Sequence, residues 1–387
     1  MENTSQFHYQ RSFETVLLKR LKERPLFIQT ILGPRQVGKT SGVLNVLESN
    51  FDSEAYHYTS CEEGLHDADW FLNVVQKSLV AKKKILVFDE IQKIENWSEL
   101  VKLVWDRQKK SKSLIHLVLL GSSSLQISQG LNESLAGRFE IIPVHHWTFF
   151  ESQKAFNISF NDYLSYGGYP GSYPLISENQ RFQKYMMDSV FESVVGKDIV
   201  RYSTVRKPAL FRQTFALACQ FPAQEVSYNK LIGQLQDAGN VDQVKYYLDL
   251  YSQAFLIRLI YKWTKSAMTR TSSPKLLPCA PVFTSLFLRR ELTPEEKGRV
   301  FESIVGSRLC EAFDTVYFWR EGREEVDYVV ETGKELFAIE VKSKKRKTSG
   351  MEVFRKKNVH AKTCYIDFEN YPMFEKDPVA FLNEYAI

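Results

Sequence analysis

The sequence predicts an α/β chain: a three-layer α/β/α domain on a largely parallel sheet, a helical module, and a compact α+β domain at the C-terminus. Three observations predict it. Apolar strand candidates alternate with helical stretches up to about residue 150, as in sheets flanked by helices. A turn-rich, helical stretch follows, and the final part reads αβββαβ. The length of 387 residues suits two or three domains at roughly 150 residues each. The expected divisions are 1–150, 151–200, 201–270 and 271–387.

In order along the chain, residues 12–24 read as a helix leading into a strand candidate over 25–32. A glycine-punctuated turn spans Gly33 to Thr40, and a helix continues to about Leu47. Further strands are expected at Ala55–Thr59, Ile85–Asp89, Ile115–Gly121 and Glu140–Val144, with helices at Ala68–Val80 and Trp97–Gln108. Phe150 to Leu164 is mixed in character, and Tyr166 to Pro174 is a turn-rich connector. Arg181 to Arg201 reads as one long helix. Three helical stretches are expected between Pro208 and Trp263, broken near Pro222 and at Asp237–Asn240, with Ser227 capping Tyr228–Leu235. Such short helices suit a winged-helix or helical-bundle module. Pro274, Pro278 and Pro281 mark a loop. Thr293 and Glu296 then form a capping box on a helix from Pro294 to Phe313. Strands at Thr315–Trp319, Glu325–Glu331 and Leu336–Val341, a helix at Met351–Asn358 and a strand at Lys362–Asp367 complete the pattern.

An apolar fraction of 44% and a charged fraction of 25% exclude a collagen-like or wholly disordered chain. No run of 18 uninterrupted apolar residues is present, and the first 15 residues lack the apolar core of a signal peptide. An intracellular protein with no membrane partner is expected. The formal charge is +5, but eight Lys or Arg against Glu352 give the segment Lys342–Lys357 +7 by itself. That cluster suits a nucleic-acid backbone, DNA or RNA, or a solvated surface loop. The five cysteines form no CxxC pair, and the seven histidines lack a ligand spacing.

Gly33-Pro34-Arg35-Gln36-Val37-Gly38-Lys39-Thr40 matches GxxxxGK[ST] between a predicted strand and a predicted helix. In such a loop, backbone N–H groups and the helix start cradle phosphates. Gly33 through Thr40, with Ser41, are the candidate nucleotide-binding residues. Lys39 is a mobile charge for the β and γ phosphates, and Thr40 offers a hydroxyl to Mg²⁺. The apolar strand Ile85–Phe88 delivers Asp89 at its C-terminal end, where it can hold Mg²⁺ through water. Glu90 is placed to orient or deprotonate the attacking water. Ser122, or else Ser123, follows the next strand and is a candidate contact for that water or the γ-phosphate. Arg138 suits either a neighbouring subunit's nucleotide, which implies a homo-oligomer, or an ion pair within its own chain. ATP and Mg²⁺ are the expected cofactors.

GPRQVGKT, ILVFDEIQK, GSSS and SLAGRFE, with YGGYPG, GKDIVRYS, EVSYNKLIGQL, PKLL, FESIVGSRL and EVDYVVE…FAIEVK, resemble the AAA-type ATPases (AAA_14 domain) that carry a C-terminal DUF4143 domain. The resemblance spans almost the whole chain. It implies an ATP-binding core, a winged-helix-like middle module, a C-terminal part resembling PD-(D/E)xK nucleases and a cytoplasmic location. Where such proteins continue from the PK segment into an aromatic strand and an Asp-x-Gly, this chain has LLPCAPVFTSLF.

A second constellation lies in the C-terminal part. In a hairpin turning near Thr332–Gly333, Asp327 and Glu340 approach across the ladder, and the spacing of Glu340 and Lys342 puts both on one face. Two such carboxylates can hold Mg²⁺, and Lys342 can position water. The resemblance adds Glu302 as a further acid. Alternating charge on a solvated sheet face gives the same letters. The functions expected are an ATPase acting on nucleic acid or a protein partner, an ATP-regulated metal-dependent nuclease, or a binding protein that keeps ATP as a structural ligand.

Overall fold

The computed structural model describes residues 9–62, 67–111, 114–121, 134–199, 205–235, 239–264, 273–333, 335–342 and 349–387, without the side chains of 196–198. Two compact units are present: residues 1–146 with 190–204, and residues 147–189 with 205–387.

The first unit holds α1 (Ser12–Lys22), β1 (Ile28–Leu32), α2 (Lys39–Asn50), β2 (Tyr56–Ser60), α3 (Ala68–Val80), β3 (Ile85–Asp89), α4 (Trp97–Ser111), β4 (His116–Gly121) and β5 (Phe139–Pro143). The strands form a sheet in the order β2-β3-β4-β1-β5, and every pairing is parallel. Every residue of β1, β3 and β4 is buried, the near-continuous apolar reading expected of parallel strands covered on both faces. Because the strands are parallel, Gly33 after β1 and Asp89 ending β3 emerge at the same edge of the sheet, where ligands bind in such folds. The expected α/β core is therefore present, with element ends shifted by one to three residues.

The second unit begins with α5 (Phe149–Phe156) and α6 (Phe160–Tyr166), which resolve the stretch of mixed character into two capped helices. Thr148 and Ser159 accept from the N–H groups of Glu151 and Asp162. The long helix expected from Arg181 is present as one continuous run, α7 (Asn179–Tyr185) passing without a break into a π-wound helix over Met186–Ile199, of which residues 190–199 belong to the first unit.

Next come α8 (Pro208–Ala218), β6 (Gln224–Glu225), α9 (Tyr228–Ile232), α10 (Val241–Gln253), β7 (Ile257–Lys262) and β8 (Lys275–Pro278). Ser227 caps α9 as expected. β6 and β7 both pair antiparallel with β8. Three helices with a small antiparallel sheet have the connectivity of a winged helix. Two strands run where helix and loop were expected. Phe255, at φ 60°, turns the chain sharply after α10, and the β-branched, aromatic run Ile257–Lys262 then extends.

Then follow α11 (Val282–Leu288), α12 (Pro294–Ala312), β9 (Val316–Glu321), β10 (Glu324–Glu331), β11 (Leu336–Lys342), α13 (Ser349–Lys357), β12 (Lys362–Asp367), α14 (Tyr371–Lys376) and α15 (Pro378–Tyr385). The capping box of Thr293 and Glu296 on α12 is present. Among the described residues, β7 joins β9 in parallel, so one seven-stranded sheet runs β12-β11-β10-β9-β7-β8-β6. That sheet crosses the division expected at residue 270. Phe301, Val305 and Leu309 of α12 pack on Phe318, Tyr328 and Ile339 of its face. Among the described residues, no helix is long and apolar enough to cross a membrane.

Candidate functional site

The first site forms where β1 ends. Gly33 is required there because a Cβ would lie 2.0 Å from the Val144 carbonyl oxygen. Gly38 caps α2 at φ 86°, a left-handed conformation that a side chain disfavours. The loop between them therefore wraps closely around the start of α2. Lys39 is 7% exposed, and its Nζ donates to the carbonyls of Gly33 at 2.9 Å and Pro34 at 2.6 Å. Thr40 Oγ1 donates to Asp89 Oδ2 at 2.6 Å. Thr40 and Asp89 thus meet across 49 positions of chain.

Three groups around this site escaped the sequence reading. Tyr58 of β2 donates its hydroxyl to the same Asp89 Oδ2 at 2.8 Å. Burial, with Asp89 next in weight, pushes the Tyr58 phenol well above its ordinary range. Cys61 follows β2, and burial beside Asp89 and Glu90 pushes its thiol up to about 12, so it stays a thiol at neutral pH. Arg11, just before α1 and 5% exposed, donates to the Val37 carbonyl at 2.8 Å and the His145 carbonyl at 3.0 Å. Glu14 accepts from the Arg11 N–H at 3.1 Å and from Asn45 at 2.9 Å, tying α1 to α2. A guanidinium fork thus fastens the loop to the exit of β5.

Glu90 adopts φ 54°, ψ 41°, and Gln92 donates to its carboxylate. A left-handed glutamate is costly, and such strain concentrates at functional sites. Arg138 makes a two-pronged pair with Asp106 of its own chain at 2.9 and 3.1 Å, which also holds the guanidinium above its ordinary range. Ser122 and Ser123 lie outside the described residues.

The second constellation sits in the seven-stranded sheet. Asp327 and Glu340 each lie one position beyond the paired Tyr328 and Ile339, and Lys342 Nζ lies 4.0 Å from Glu340 Oε2. Asp327 Oδ2 accepts the Val341 N–H at 2.8 Å. Glu302, on α12, faces Lys275 of β8 at 2.8 Å, a partner that the sequence reading left out. Glu325 lies 3.1 Å from the same ammonium. Burial and the neighbouring Asp327 carboxylate push Glu302 up to about 8. Burial likewise raises Asp327. Among the described residues, no group of three or more His, Cys, Asp or Glu is arranged to hold a metal ion.

A third buried carboxylate, Glu375 of α14, accepts the N–H groups of Phe149 and Phe150 at 2.9 and 2.7 Å and the Tyr371 hydroxyl at 2.7 Å. It anchors the start of α5. Burial pushes it up to about 7 against those three donors.

Family models match consecutive parts of the chain. An AAA domain (AAA_14) covers residues 27–153, a domain of unknown function (DUF8612) residues 157–279, and a second (DUF4143) residues 297–376. An uncharacterised protein of Methanocaldococcus jannaschii is 24% identical over 337 residues, 80% of this chain and 73% of that protein. One of Mycobacterium tuberculosis is 24% identical over 340 residues, 84% of this chain and 72% of that protein. Among solved structures, a point variant of RuvB from Thermotoga maritima matches with a TM-score of 0.35 and 15% identity, covering 72% of this chain and 93% of that one. The replication initiator DnaA bound to AMPPCP and single-stranded DNA matches at 0.31 and 15%, covering 63% and 88%. The chain thus carries an AAA domain (AAA_14) of P-loop, α/β architecture at its N-terminus and a DUF4143 domain at its C-terminus.

Proposed function

We propose that this protein binds ATP with Mg²⁺ and hydrolyses the β–γ bond, coupling its nucleotide state to action on a macromolecular partner. The observation that carries the reading is the meeting of the Thr40 hydroxyl and the Asp89 carboxylate at 2.6 Å, beside Lys39 and at the C-terminal edge of the parallel sheet. A hydroxyl and one carboxylate fit Mg²⁺, which takes few protein ligands when phosphates and waters complete its shell. Bound there, the ion would neutralise charge on the β and γ phosphates.

The chain's own residues do the rest. Backbone N–H groups from Gly33 to Ser41 bind the phosphates, with the positive end of α2 behind them. Lys39 leaves the carbonyls of Gly33 and Pro34 for phosphate oxygens. Glu90 takes up the proton of the attacking water, or orients that water, from the strained position after Asp89. Arg138 is engaged by Asp106, which supports an ion-pair role within the subunit.

The test is Mg²⁺-dependent ATP turnover by the full chain beside Lys39→Ala and Glu90→Gln. Turnover lost in both, with ATP binding retained in Glu90→Gln, is the expected result. ATP bound without turnover under any condition would overturn hydrolysis and leave ATP as a structural ligand.

As the macromolecular partner, nucleic acid is favoured by one observation. α13 leaves Arg355 and Lys356 exposed at the end of the basic segment, while Lys357 pairs with Glu321. Single- and double-stranded DNA and RNA added to the turnover assay test this. Stimulation that falls with salt and is lost in Arg355→Glu/Lys356→Glu would support it. No stimulation by any of them would point to a protein partner.

A further inference from the structure

The ATPase reading leaves the second constellation without a role, and its most unusual member is Lys275. Lysine is almost never fully buried unless paired, yet Lys275 is 1% exposed. Its Nζ lies 2.8 Å from Glu302 Oε1, 3.1 Å from Glu325 Oε1 and 3.3 Å from the Asp327 carbonyl oxygen. An ammonium has three N–H bonds and no acceptor, so three oxygens complete its shell. The rings of Phe318 and Tyr328 close the remaining sides at 5.6 and 5.3 Å. Such faces favour a cation.

Several oxygens of this cluster are already engaged by other donors. Arg320 takes the other oxygen of Glu325 and holds Glu225 at 2.7 Å. The Tyr328 hydroxyl donates to the Glu302 carbonyl at 2.7 Å, fixing that turn of α12 against β10. Asp327 Oδ2 is capped by the Val341 N–H. Mg²⁺ demands near-octahedral oxygen geometry with several waters. The donor set here converges on an ammonium instead.

We propose that Lys275 is the resident cation of this acid cluster, supplying from within the fold the positive charge that a divalent metal would bring, and that the C-terminal module does not carry out metal-dependent phosphodiester cleavage. This accounts for a buried lysine at the start of β8. It also separates the resemblance in fold from the chemistry: the acids are kept and a lysine balances their charge. The three carboxylates raise the ammonium's affinity for its proton, so it stays charged throughout the physiological range.

The test counts Mn²⁺ bound to the nucleotide-free full chain by its free-ion paramagnetic resonance signal, in the wild type, Asp327→Asn and Glu340→Gln. The same proteins are incubated with labelled single- and double-stranded DNA and RNA at millimolar Mn²⁺. The expected result is equal Mn²⁺ binding in all three and no cleavage that depends on either acid. One equivalent of Mn²⁺ lost in either variant would overturn the proposal, as would Mn²⁺-dependent cleavage abolished by either. Using two conservative variants keeps the test decisive if one fails to fold. Lys275→Met supplies the converse: a gain of one bound Mn²⁺ would support the assignment of that place to a cation.

Discussion

Replacing Tyr58 by Phe removes one hydroxyl and leaves the ring. That hydroxyl donates at 2.8 Å to Asp89 Oδ2, the oxygen that Thr40 also reaches at 2.6 Å. With the phenol gone, Thr40 alone orients that oxygen, and the carboxylate gains freedom to rotate away from the metal position. Hydrogen bonds to a charged group are worth about 1.5–3 kcal/mol. Tyr58 is half-buried, so the lower end of that range applies, about 1.5 kcal/mol, which is roughly one decade in binding. Groups that orient a metal's ligands typically contribute about 10- to 100-fold in affinity or activity, in line with that figure. The Mg²⁺ concentration for half-maximal ATP turnover should therefore rise about tenfold in Tyr58→Phe. Turnover at saturating Mg²⁺ should stay within about threefold of the wild type. A Mg²⁺ titration of steady-state turnover, with thermal melting as a control on folding, reads both. An unchanged half-saturation point with lowered maximal turnover would refute the reasoning, because Tyr58 would then act elsewhere than through Asp89.

Two further outcomes follow from the buried charges of the second unit. Lys275→Met leaves Glu302 and Glu325 without their shared cation, and removing one partner of a buried ion pair costs about 3–5 kcal/mol; urea denaturation should show that loss, and a smaller one in Glu302→Gln. Glu375 has a folded value of about 7 against an ordinary 4.5, so between those values the folded state holds a proton that the unfolded state has released. Stability is then fully present below the lower value and falls as pH rises towards the upper one. At about 1.4 kcal/mol per pH unit the ceiling is about 3 kcal/mol, and Glu375→Gln should flatten the fall seen by urea denaturation across that window.

Much of the first unit is legible in the sequence because its signals are local. Ile85–Phe88 is an unbroken apolar run that ends in Asp89, and GxxxxGK[ST] lies within eight residues. A parallel sheet then brings the two together by topology alone. What the sequence hides is held by distant partners. Arg11 finds its carbonyl acceptors 26 and 134 positions away, and Lys275 finds its acids 27 and 50 positions away. No spacing rule reaches that far, so a lysine beside Pro274 reads as an exposed loop residue. β7 and β8 were missed for a different reason. Ile257–Lys262 follows α10 with no glycine or proline to mark the break, the turn being made by Phe255 at φ 60°. Lys275–Pro278 is four residues long and flanked by prolines, which weaken any strand reading.

The brace made by Arg11 bears on how the AAA domain should be cut out for study. The AAA family match begins at residue 27, and a fragment starting there would hold every residue of the phosphate loop. It would lack α1, and with it the guanidinium that grips the loop through Val37 and anchors it to His145. Such a fragment would be expected to bind nucleotide poorly with an intact GPRQVGKT. A negative result from it would measure the missing brace, and the proposed roles of Lys39 and Glu90 would stand untried.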